Sequence, residues 1–247
     1  MEDKIQLYVD SCYECSKLVT NKYSTSFSMG IKLFAKKLRM PIYAIYGFVR
    51  FADEIVDTFH THDKASLLAK FKQDTYRALE ERISLNPILH TFQEVVHRYN
   101  IEIELIDAFL DSMAMDLDDY TYTPEVYKKY IYGSAEVVGL MCLRVFCDGN
   151  ETQYESLKDS ACSLGSAFQK VNFLRDIKSD YEDRGRVYFP GVDYHAFTDD
   201  DKTNIEADIK KDFDDAYEGI IRLPKGCLLY TSPSPRDATL SRMPSSA

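Results

Sequence analysis

Two pairs of aspartates, each spaced four residues apart, are the feature of this sequence best suited to chemistry. Asp53 and Asp57 form the first pair, and Asp176 and Asp180 form the second. Residues four apart on a helix lie one above the other, so each pair presents two carboxylates on one face. Like charges stacked in this way destabilise a helix by roughly 0.2–0.5 kcal/mol, which a divalent cation would offset. The two pairs therefore predict a cleft that binds Mg2+ and, through the metal, an anionic ligand.

The residues around the two aspartate pairs continue the same helix faces. Tyr46 and Arg50 precede the first pair at helical spacing, where an arginine could contact a phosphate oxygen and a tyrosine offers a ring or a hydroxyl. Asn172 precedes the second pair by four residues and adds an oxygen ligand of the kind that Mg2+ prefers. Two other polar side chains lie beside this second face, namely Gln169 and Arg175. A solvated acidic surface is the competing interpretation, but the bulky apolar residues around the second pair favour a cleft.

The composition limits the class of protein. The 247 residues carry a formal net charge of -10, which disfavours nucleic acid as a partner. The hydrophobic fraction of 45% is enough for a substantial core. No signal-peptide pattern precedes the six cysteines, so we expect reduced thiols in a cytoplasmic protein. No apolar run reaches the roughly 18 residues of a membrane-spanning helix.

The hydrophobic periodicity is helical along almost the whole chain. Apolar residues recur at spacings of three and four, and the sequence contains no alternating strand pattern and no internal repeat. The pattern predicts helices over residues 3–21, 27–38, 41–59, 64–84, 88–98, 101–119, 124–146, 151–181 and 198–223. We therefore expect an all-α protein with a single domain over residues 1–226. The Ser/Pro-rich segment 227–247 cannot continue such a bundle, and we interpret it as a disordered or foreign tail.

Two further segments each have a structural and a functional interpretation. Gly133 and Gly139 lie inside a predicted helix, where each costs about 1 kcal/mol relative to alanine. Either close helix packing or space for a long ligand would explain them. Ser26 and Phe27 open the second predicted helix, where hydroxyl and backbone N–H groups could bind phosphate oxygens or serve only as a cap.

These motifs, in this order, resemble those of the squalene/phytoene synthase family. Residues 46–57 are similar to its first signature, and residues 172–190 are similar to its second, in a wording closest to bacterial phytoene synthases. The helix around residues 130–139 resembles the family's central helix beside the substrate channel. The resemblance covers roughly residues 5–226. Two departures are that Tyr23 and Thr25 stand where many members carry His and Lys, and that members usually continue with further helices where this chain has the segment 227–247.

The resemblance implies a single-domain, isoprenoid-synthase-type helical bundle with a central cavity. The implied activity is that of a prenyltransferase that joins two prenyl diphosphates head to head, using Mg2+ with Mn2+ as an alternative. Two geranylgeranyl diphosphates would give phytoene through a cyclopropyl diphosphate intermediate. The alternatives are squalene or dehydrosqualene synthesis from farnesyl diphosphate, and an inactive, truncated relative. Release of a lipophilic product implies transient contact with a membrane, and the sequence does not indicate an oligomeric state.

The resemblance also assigns roles to individual residues. The implied metal ligands are Asp53, Asp57, Asn172, Asp176 and Asp180. The implied catalytic residues are the four aspartates together with Tyr46 and Tyr130. The implied substrate-binding residues are Ser26, Phe27, Arg50, Ala135, Val138, Gly139, Gln169, Asn172, Arg175, Arg186 and Tyr188.

Overall fold

The computed structural model describes residues 2–118, 122–224 and 226–227, and within these ranges it is helical and contains no strand, as predicted. The helices are α1 Glu2–Tyr23, α2 Thr25–Leu33, α3 Lys36–Asp57, α4 Lys64–Glu81, α5 Pro87–Tyr99, α6 Ile103–Met115, α7 Pro124–Ile131, α8 Val137–Cys147, α9 Glu151–Arg184 and α10 Asp199–Ile220. A five-residue π turn, Tyr132–Glu136, joins α7 directly to α8. The predicted all-α class is therefore confirmed.

Several helices begin at side-chain caps, and the sequence predicts two of these starts, at Thr123 and at Thr198. The side chain of Asn86 accepts hydrogen bonds from the first turn of α5, and Pro87 is the first residue of that helix. Thr123 caps α7 in the same way, immediately before a proline. Thr198 and Asp201 form a reciprocal capping box at the start of α10. A cap depends only on neighbouring residues, which is why the sequence predicts the starts at Thr123 and Thr198.

The boundary between α2 and α3 differs from the sequence prediction. The predicted helix 27–38 ends at Leu33, and α3 begins at Lys36. Pro41, expected as the first residue of the next helix, therefore lies inside α3. A proline has no amide hydrogen, so the helix lacks one internal hydrogen bond at this position. The helix continues because its apolar face, which includes Ile42 and Phe48, is completely buried.

Aromatic stacking around α3 holds the main core together. The rings of Phe48 on α3 and Phe92 on α5 are parallel, with centroids 3.8 Å apart. Phe71 from α4 and Phe109 from α6 contact the same Phe48 ring, at 5.6 Å and 5.4 Å. Burial of this face fixes the rotation of α3 about its axis, so the opposite face, which carries Asp53, is directed away from the core.

Close backbone packing explains the glycines of the central helix. A Cβ atom at Gly133 would lie 2.5 Å from the carbonyl oxygen of Ala108 on α6. A Cβ atom at Gly139 would lie 2.9 Å from the carbonyl oxygen of Ala161 on α9. Both distances are too short for a side chain, so glycine lets the central segment approach both neighbours. The substrate-channel role of Gly139 stays a prediction.

The central segment is also as long and apolar as a membrane-spanning helix, which the sequence analysis did not predict. Pro124–Cys147 spans 24 residues with a mean hydropathy of 1.3, which is long and apolar enough to cross a membrane. However, 56% of this apolar window is buried inside the protein. Val137 and Met141 are completely buried in the main core. The apolar character is therefore the one expected for the central helix of a bundle.

Two other predictions concern the thiols and the end of the chain. All six cysteines are free thiols, as expected. Apart from Cys227, the segment 227–247 lies outside the described residues. The domain boundary at residue 226 and the interpretation of 227–247 as a disordered or foreign tail therefore stay predictions.

Candidate active site

The first wall of the candidate site is the exposed face of α3. Arg50 donates to Oδ2 of Asp53 at 2.6 Å and to Oε2 of Glu54 at 2.5 Å, and its guanidinium lies 4.5 Å from the centre of the Tyr23 ring. The Nε atom of Arg50 is buried and has no hydrogen-bond acceptor in the described part of the chain. Asp53 and Asp57 are both half-buried. This wall therefore combines two carboxylates with a guanidinium whose Nε–H donor has no acceptor among the described residues.

The N-terminal segment packs beside this first wall. The ring of Phe27 on α2 stacks on that of Tyr46 on α3, with centroids 4.8 Å apart and an angle of 26° between the planes. Ser24, and not Ser26, caps α2 by accepting a hydrogen bond from the backbone N–H of Phe27. Ser26 is exposed in the first turn. Burial raises the pKa of Tyr46 although the charge of Arg50 acts against it, so the phenol is neutral at physiological pH.

The second wall, on α9, is more open to solvent. Arg175 binds both carboxylate oxygens of Asp176, with distances of 2.8 Å and 2.5 Å. The side chain of Asp176 is 40% exposed and Asn172 is exposed, whereas Gln169 and Asp180 are half-buried. The backbone carbonyl of Asp180 accepts a hydrogen bond from the chain that leaves the helix. The oxygen ligands predicted on this face are therefore accessible to a ligand from solution.

The two walls are separated by the central segment of the bundle. Helix α3 packs on α8, and α9 packs on both α8 and the π turn, but within the described ranges α3 and α9 do not contact each other. Among the same residues, no group of three His, Cys, Asp or Glu side chains is close enough to hold a metal ion. Mg2+ is commonly bound through one or two carboxylates together with waters and substrate phosphates. The donors therefore fit a metal that arrives with its phosphate ligand, and the unpaired Nε of Arg50 fits an anionic oxygen.

Asp116, at the C-terminal end of α6, is a central residue of the site that the sequence analysis missed. Both of its carboxylate oxygens accept from the hydroxyl of Tyr130 at 2.9 Å, and Arg186 donates to Oδ1 at 3.2 Å. Burial raises the pKa of Asp116 to about 7, against the effects of the Tyr130 hydrogen bond and the Arg186 charge. The negative charges of Asp57 and Asp53 raise this pKa further. Asp116 therefore lies within the electrostatic field of the first wall.

The second wall acts on the same cluster through Tyr188. Burial raises the pKa of Tyr188, and so do the charges of Asp116 and Asp180. The Tyr188 ring stacks on Phe173 of α9, with centroids 4.1 Å apart and an angle of 7°. It also stacks on Tyr130 at 5.5 Å. Charges from both walls therefore affect one buried cluster of aromatic and charged groups: Asp53 and Asp57 raise the pKa of Asp116, and Asp180 raises the pKa of Tyr188.

Arg186 has partners that its sequence position did not suggest. Its guanidinium is only 11% exposed, and besides Asp116 it donates to the backbone carbonyls of Asp116 and Asp118, at 3.0 Å and 3.1 Å. These carbonyls lie at the end of α6, where the helix leaves acceptors unsatisfied. The substrate-binding role of Arg186 stays a prediction, and the structure adds a role in joining the loop after α9 to α6.

A signal for Asp116 was present in the sequence but was weak. An aspartate at the C-terminal end of a helix is opposed by the helix dipole, so it requires a positive partner. Met113 and Met115, which precede Asp116, are both buried, so Asp116 follows the apolar face of α6. The partner, Arg186, is 70 residues away, and no local spacing rule links the two.

The remaining predicted residues lie on the central segment. Ala135 belongs to the π turn, and a Cβ atom at Gly165 of α9 would lie 2.8 Å from its carbonyl oxygen. Val138 follows in α8 and is half-buried against the main core. The structure thus places Ala135 and Val138 on the helix that carries Tyr130, between α6 and α9.

Comparison with known proteins identifies related sequences. A profile of the squalene/phytoene synthase family matches residues 20–230. The chain is 34% identical over 168 residues to a phytoene synthase from Pseudescherichia vulneris, which covers 64% of this chain and 53% of the relative. It is 33% identical over 180 residues to a 15-cis-phytoene synthase from Enterobacter agglomerans, which covers 68% of this chain and 59% of the relative. The chain therefore spans about half the length of the curated relatives it matches.

Solved structures show the same fold. The chain superposes on a dehydrosqualene synthase solved in complex with a ligand, with a TM-score of 0.78 and 21% identity, covering 90% of this chain and 81% of that chain. It superposes equally on a squalene synthase from Alicyclobacillus acidocaldarius, with a TM-score of 0.78 and 21% identity, covering 96% and 90%. At these identities the likeness shows the fold alone, and it confirms the isoprenoid-synthase-type bundle. Together with the profile match, it shows that the chain belongs to the squalene/phytoene synthase family, whose members are prenyl-transferring enzymes.

Proposed function

We propose that this chain catalyses the Mg2+-dependent head-to-head condensation of two prenyl diphosphates, with geranylgeranyl diphosphate as substrate and phytoene as product. The observation that carries the proposal is the carboxylate pair on each of α3 and α9, together with the buried cluster in which Asp116 binds Tyr130 and Arg186 and Tyr188 stacks on Phe173 of α9. The names of the curated relatives support the product.

Five oxygen donors on the two walls would hold the metal: Asp53, Asp57, Asn172, Asp176 and Asp180. When bound, Mg2+ would neutralise the diphosphate and assist its departure as a leaving group. The chain itself is acidic, with a formal net charge of -10, and would repel a diphosphate without the metal. This requirement follows from charge alone and applies to either prenyl substrate.

The arginines of the two walls would supply positive charge to the leaving group. Arg50 and Arg175 each bind a carboxylate of their own wall, at 2.6 Å from Asp53 and 2.5 Å from Asp176. Arg50 has a donor without a partner in the described residues, and Arg175 is exposed. Arg175 could therefore bind a diphosphate oxygen directly from solution, whereas Arg50 would first have to expose its buried Nε or release a carboxylate.

The aromatic residues would exclude water from a reactive carbocation. Tyr130 and Tyr188 are buried, at 5% and 6% exposure, and their rings belong to one cluster with Phe173. Phe27 and Tyr46 form a second aromatic pair beside the first wall. Rings at these positions present no strong nucleophile and can stabilise positive charge through their electron-rich faces.

The test is turnover of labelled geranylgeranyl and farnesyl diphosphates by the full chain, with Mg2+, with Mn2+ or with a chelator. We expect a hydrocarbon product from geranylgeranyl diphosphate only when metal is present. Product from farnesyl diphosphate alone would assign squalene or dehydrosqualene synthesis instead. Absence of any product from a folded chain would reject the enzymatic function and favour the inactive relative.

Variants locate the activity on the two walls. Asp53→Asn and Asp176→Asn remove one charge from each wall and should each lower kcat/KM by about 100-fold or more. The control is Asp214→Asn, which removes an exposed helical aspartate that also binds a basic side chain, Lys210, at 2.5 Å. Retention of full activity by both wall variants would show that the site is elsewhere.

A further inference from the structure

Helix α6 carries a carboxylate at each end, and both bind a nearly buried arginine. At the N-terminal end Glu102 binds Arg144, and at the C-terminal end Asp116 binds Arg186; each arginine side chain is 11% exposed. The two pairs are alike in charge and in the burial of the arginine, but the Glu102 side chain is 31% exposed and the Asp116 side chain only 8%, and Arg144 also pairs with Glu151. The guanidinium of Arg144 lies over the ring of Tyr154, 3.4 Å from its centre. Asp116 instead binds Tyr130, and the charges of Asp57 and Asp53 raise its pKa.

The contacts of Asp116 fix one side chain of the proposed reaction site. The hydroxyl of Tyr130 is 2.9 Å from both oxygens of Asp116, which is a single donor shared between two acceptors. Tyr130 is the residue immediately before the end of α7, where the π turn begins after Ile131. A π turn alters the direction of side chains along a helix, so an additional contact is needed to fix the orientation of this phenol.

The contacts of Arg186 fix one segment of the main chain. Arg186 donates to a carboxylate oxygen of Asp116 and to the carbonyl oxygens of Asp116 and Asp118, at and just after the end of α6. It also interacts with the hydroxyl of Tyr188. Arg186 itself follows the left-handed residue Gly185 that ends α9. The pair therefore joins the chain after the second wall to the helix whose end faces the first wall.

We propose that Asp116 is a positioning residue for the reaction, because it orients the Tyr130 hydroxyl and, through Arg186, holds the loop after α9 against the end of α6. This inference rests on the proposed function. It adds to that function a residue that would contact neither metal nor substrate. It also predicts that the Asp116–Arg186 ion pair, which joins α6 to the loop after the second wall, keeps that loop in place.

The first test compares Asp116→Asn with Glu102→Gln in the full chain. Asp116→Asn should lower kcat by about 10- to 100-fold with KM changed less than about threefold, as for other residues that orient a reacting group. Glu102→Gln breaks the equivalent pair at the other end of α6 and should leave kcat within about twofold of the parent. Equal kcat losses in the two variants would overturn the proposal, because they would show a general effect of stability.

The second test asks whether Asp116 acts through Tyr130. Tyr130→Phe removes the hydroxyl that Asp116 binds. If Asp116 acts by orienting this hydroxyl, the kcat of the double variant should be no more than about threefold below that of the less active single variant. The two losses should not multiply, because coupled residues do not have additive effects. Multiplication of the two losses would overturn this part of the proposal.

The third test needs no turnover and therefore separates this proposal from the proposed function. Hydrogen exchange of a peptide covering residues 185–192 reports how firmly the loop is held. Exchange should be at least about tenfold faster in Asp116→Asn than in the parent, and unchanged in Glu102→Gln. If the parent makes no product, the proposed function fails, and the exchange result still decides whether Asp116 holds the loop. Unchanged exchange in Asp116→Asn would overturn that role.

Discussion

At Asp116, burial and charge act in opposite directions. Burial favours the neutral acid, whereas the Tyr130 hydroxyl and the Arg186 guanidinium favour the carboxylate. Asp57 and Asp53 add negative charge that favours the neutral acid again. The result is a carboxyl whose pKa of about 7 is well above the value of an exposed aspartate. Such a group makes the stability of the fold sensitive to pH near neutrality.

The first prediction concerns that sensitivity. The folded pKa of Asp116, about 7, exceeds the unfolded value of roughly 3.9. The folded chain therefore binds more protons between these values, and its free energy of unfolding should fall as pH rises from about 4 to about 7. Asp116→Asn cannot titrate, so its stability relative to the parent should improve across this window by at most roughly 4 kcal/mol.

Urea denaturation of both proteins in metal-free buffer, at pH 4.5 and at pH 8, measures this difference. The ion pair with Arg186 forms only when Asp116 is ionised, so its effect is already contained in the folded pKa and belongs to the pH trend. A difference in unfolding free energy that is constant with pH would show that Asp116 titrates normally.

At the scale of the helix, the central segment depends on close approach to its neighbours. Gly133 contacts the backbone of α6, and Gly165 of α9 contacts the backbone at Ala135 and Glu136. A side chain at either glycine would push two helices apart. Residues of the π turn itself make both contacts, so its geometry is supported by α6 on one side and by α9 on the other.

The second prediction concerns two glycine variants that should change the free energy of unfolding in opposite directions. Gly133→Ala should lower the free energy of unfolding by about 1–3 kcal/mol, because its Cβ would lie 2.5 Å from the Ala108 carbonyl oxygen. Gly30→Ala is the control, since nothing lies within 4 Å of its Cβ position inside α2. It should raise stability by roughly 0.5–1 kcal/mol through helix propensity. Thermal and urea denaturation measure both, and destabilisation by Gly30→Ala would contradict the reasoning.

Comparison of the predicted helices with the structure shows which features a sequence reveals. The starts at Pro124 and after Thr198 were predicted because a capping side chain acts on adjacent residues, whereas Asn86 and Pro87 indicated only the end of the preceding helix. The interior position of Pro41 was not predicted, because it depends on the burial of α3 against several other helices. The π turn was missed for the same reason, since it accommodates the packing of α6 and α9.

The candidate site divides in the same way. The aspartate pairs were visible because each pair shares one helix face. Asp116 was not, because its partners Tyr130 and Arg186 are 14 and 70 residues away and are brought together only by the fold. Phe173 was likewise interpreted only as one of the bulky apolar residues around the second aspartate pair. In the structure its ring stacks on Tyr188, with centroids 4.1 Å apart.

At the scale of the whole molecule, negative charge governs what can bind. The formal net charge is -10, and two of the carboxylate pairs that contribute to it lie at the proposed site. Inorganic pyrophosphate alone should bind poorly, whereas pyrophosphate with Mg2+ carries its own neutralising charge. A ligand that binds only the folded state stabilises it in proportion to the logarithm of its concentration.

The third prediction follows from this linkage. Mg2+ and pyrophosphate together should raise the Tm more than the sum of their separate effects, by an amount corresponding to about 2.7 kcal/mol at a ligand concentration 100 times the Kd. The combined effect should be largely lost in Asp53→Asn and kept in Asp214→Asn, which removes an exposed charge of α10 that belongs to neither wall. Thermal melts in a non-chelating buffer provide the measurement, and additive shifts would argue against a shared metal-diphosphate site.

The π turn between α7 and α8 has a consequence for how such a protein can change. A π turn contains one residue more than the same stretch of α-helix, and each helical residue corresponds to a rotation of about 100°. Deletion of one residue from Tyr132–Glu136 would therefore turn Val138 and Gly139 toward a different neighbour while Tyr130 kept its place. Insertions and deletions at this joint would change the side chains at one end of the proposed substrate channel independently of the phenol at the other end.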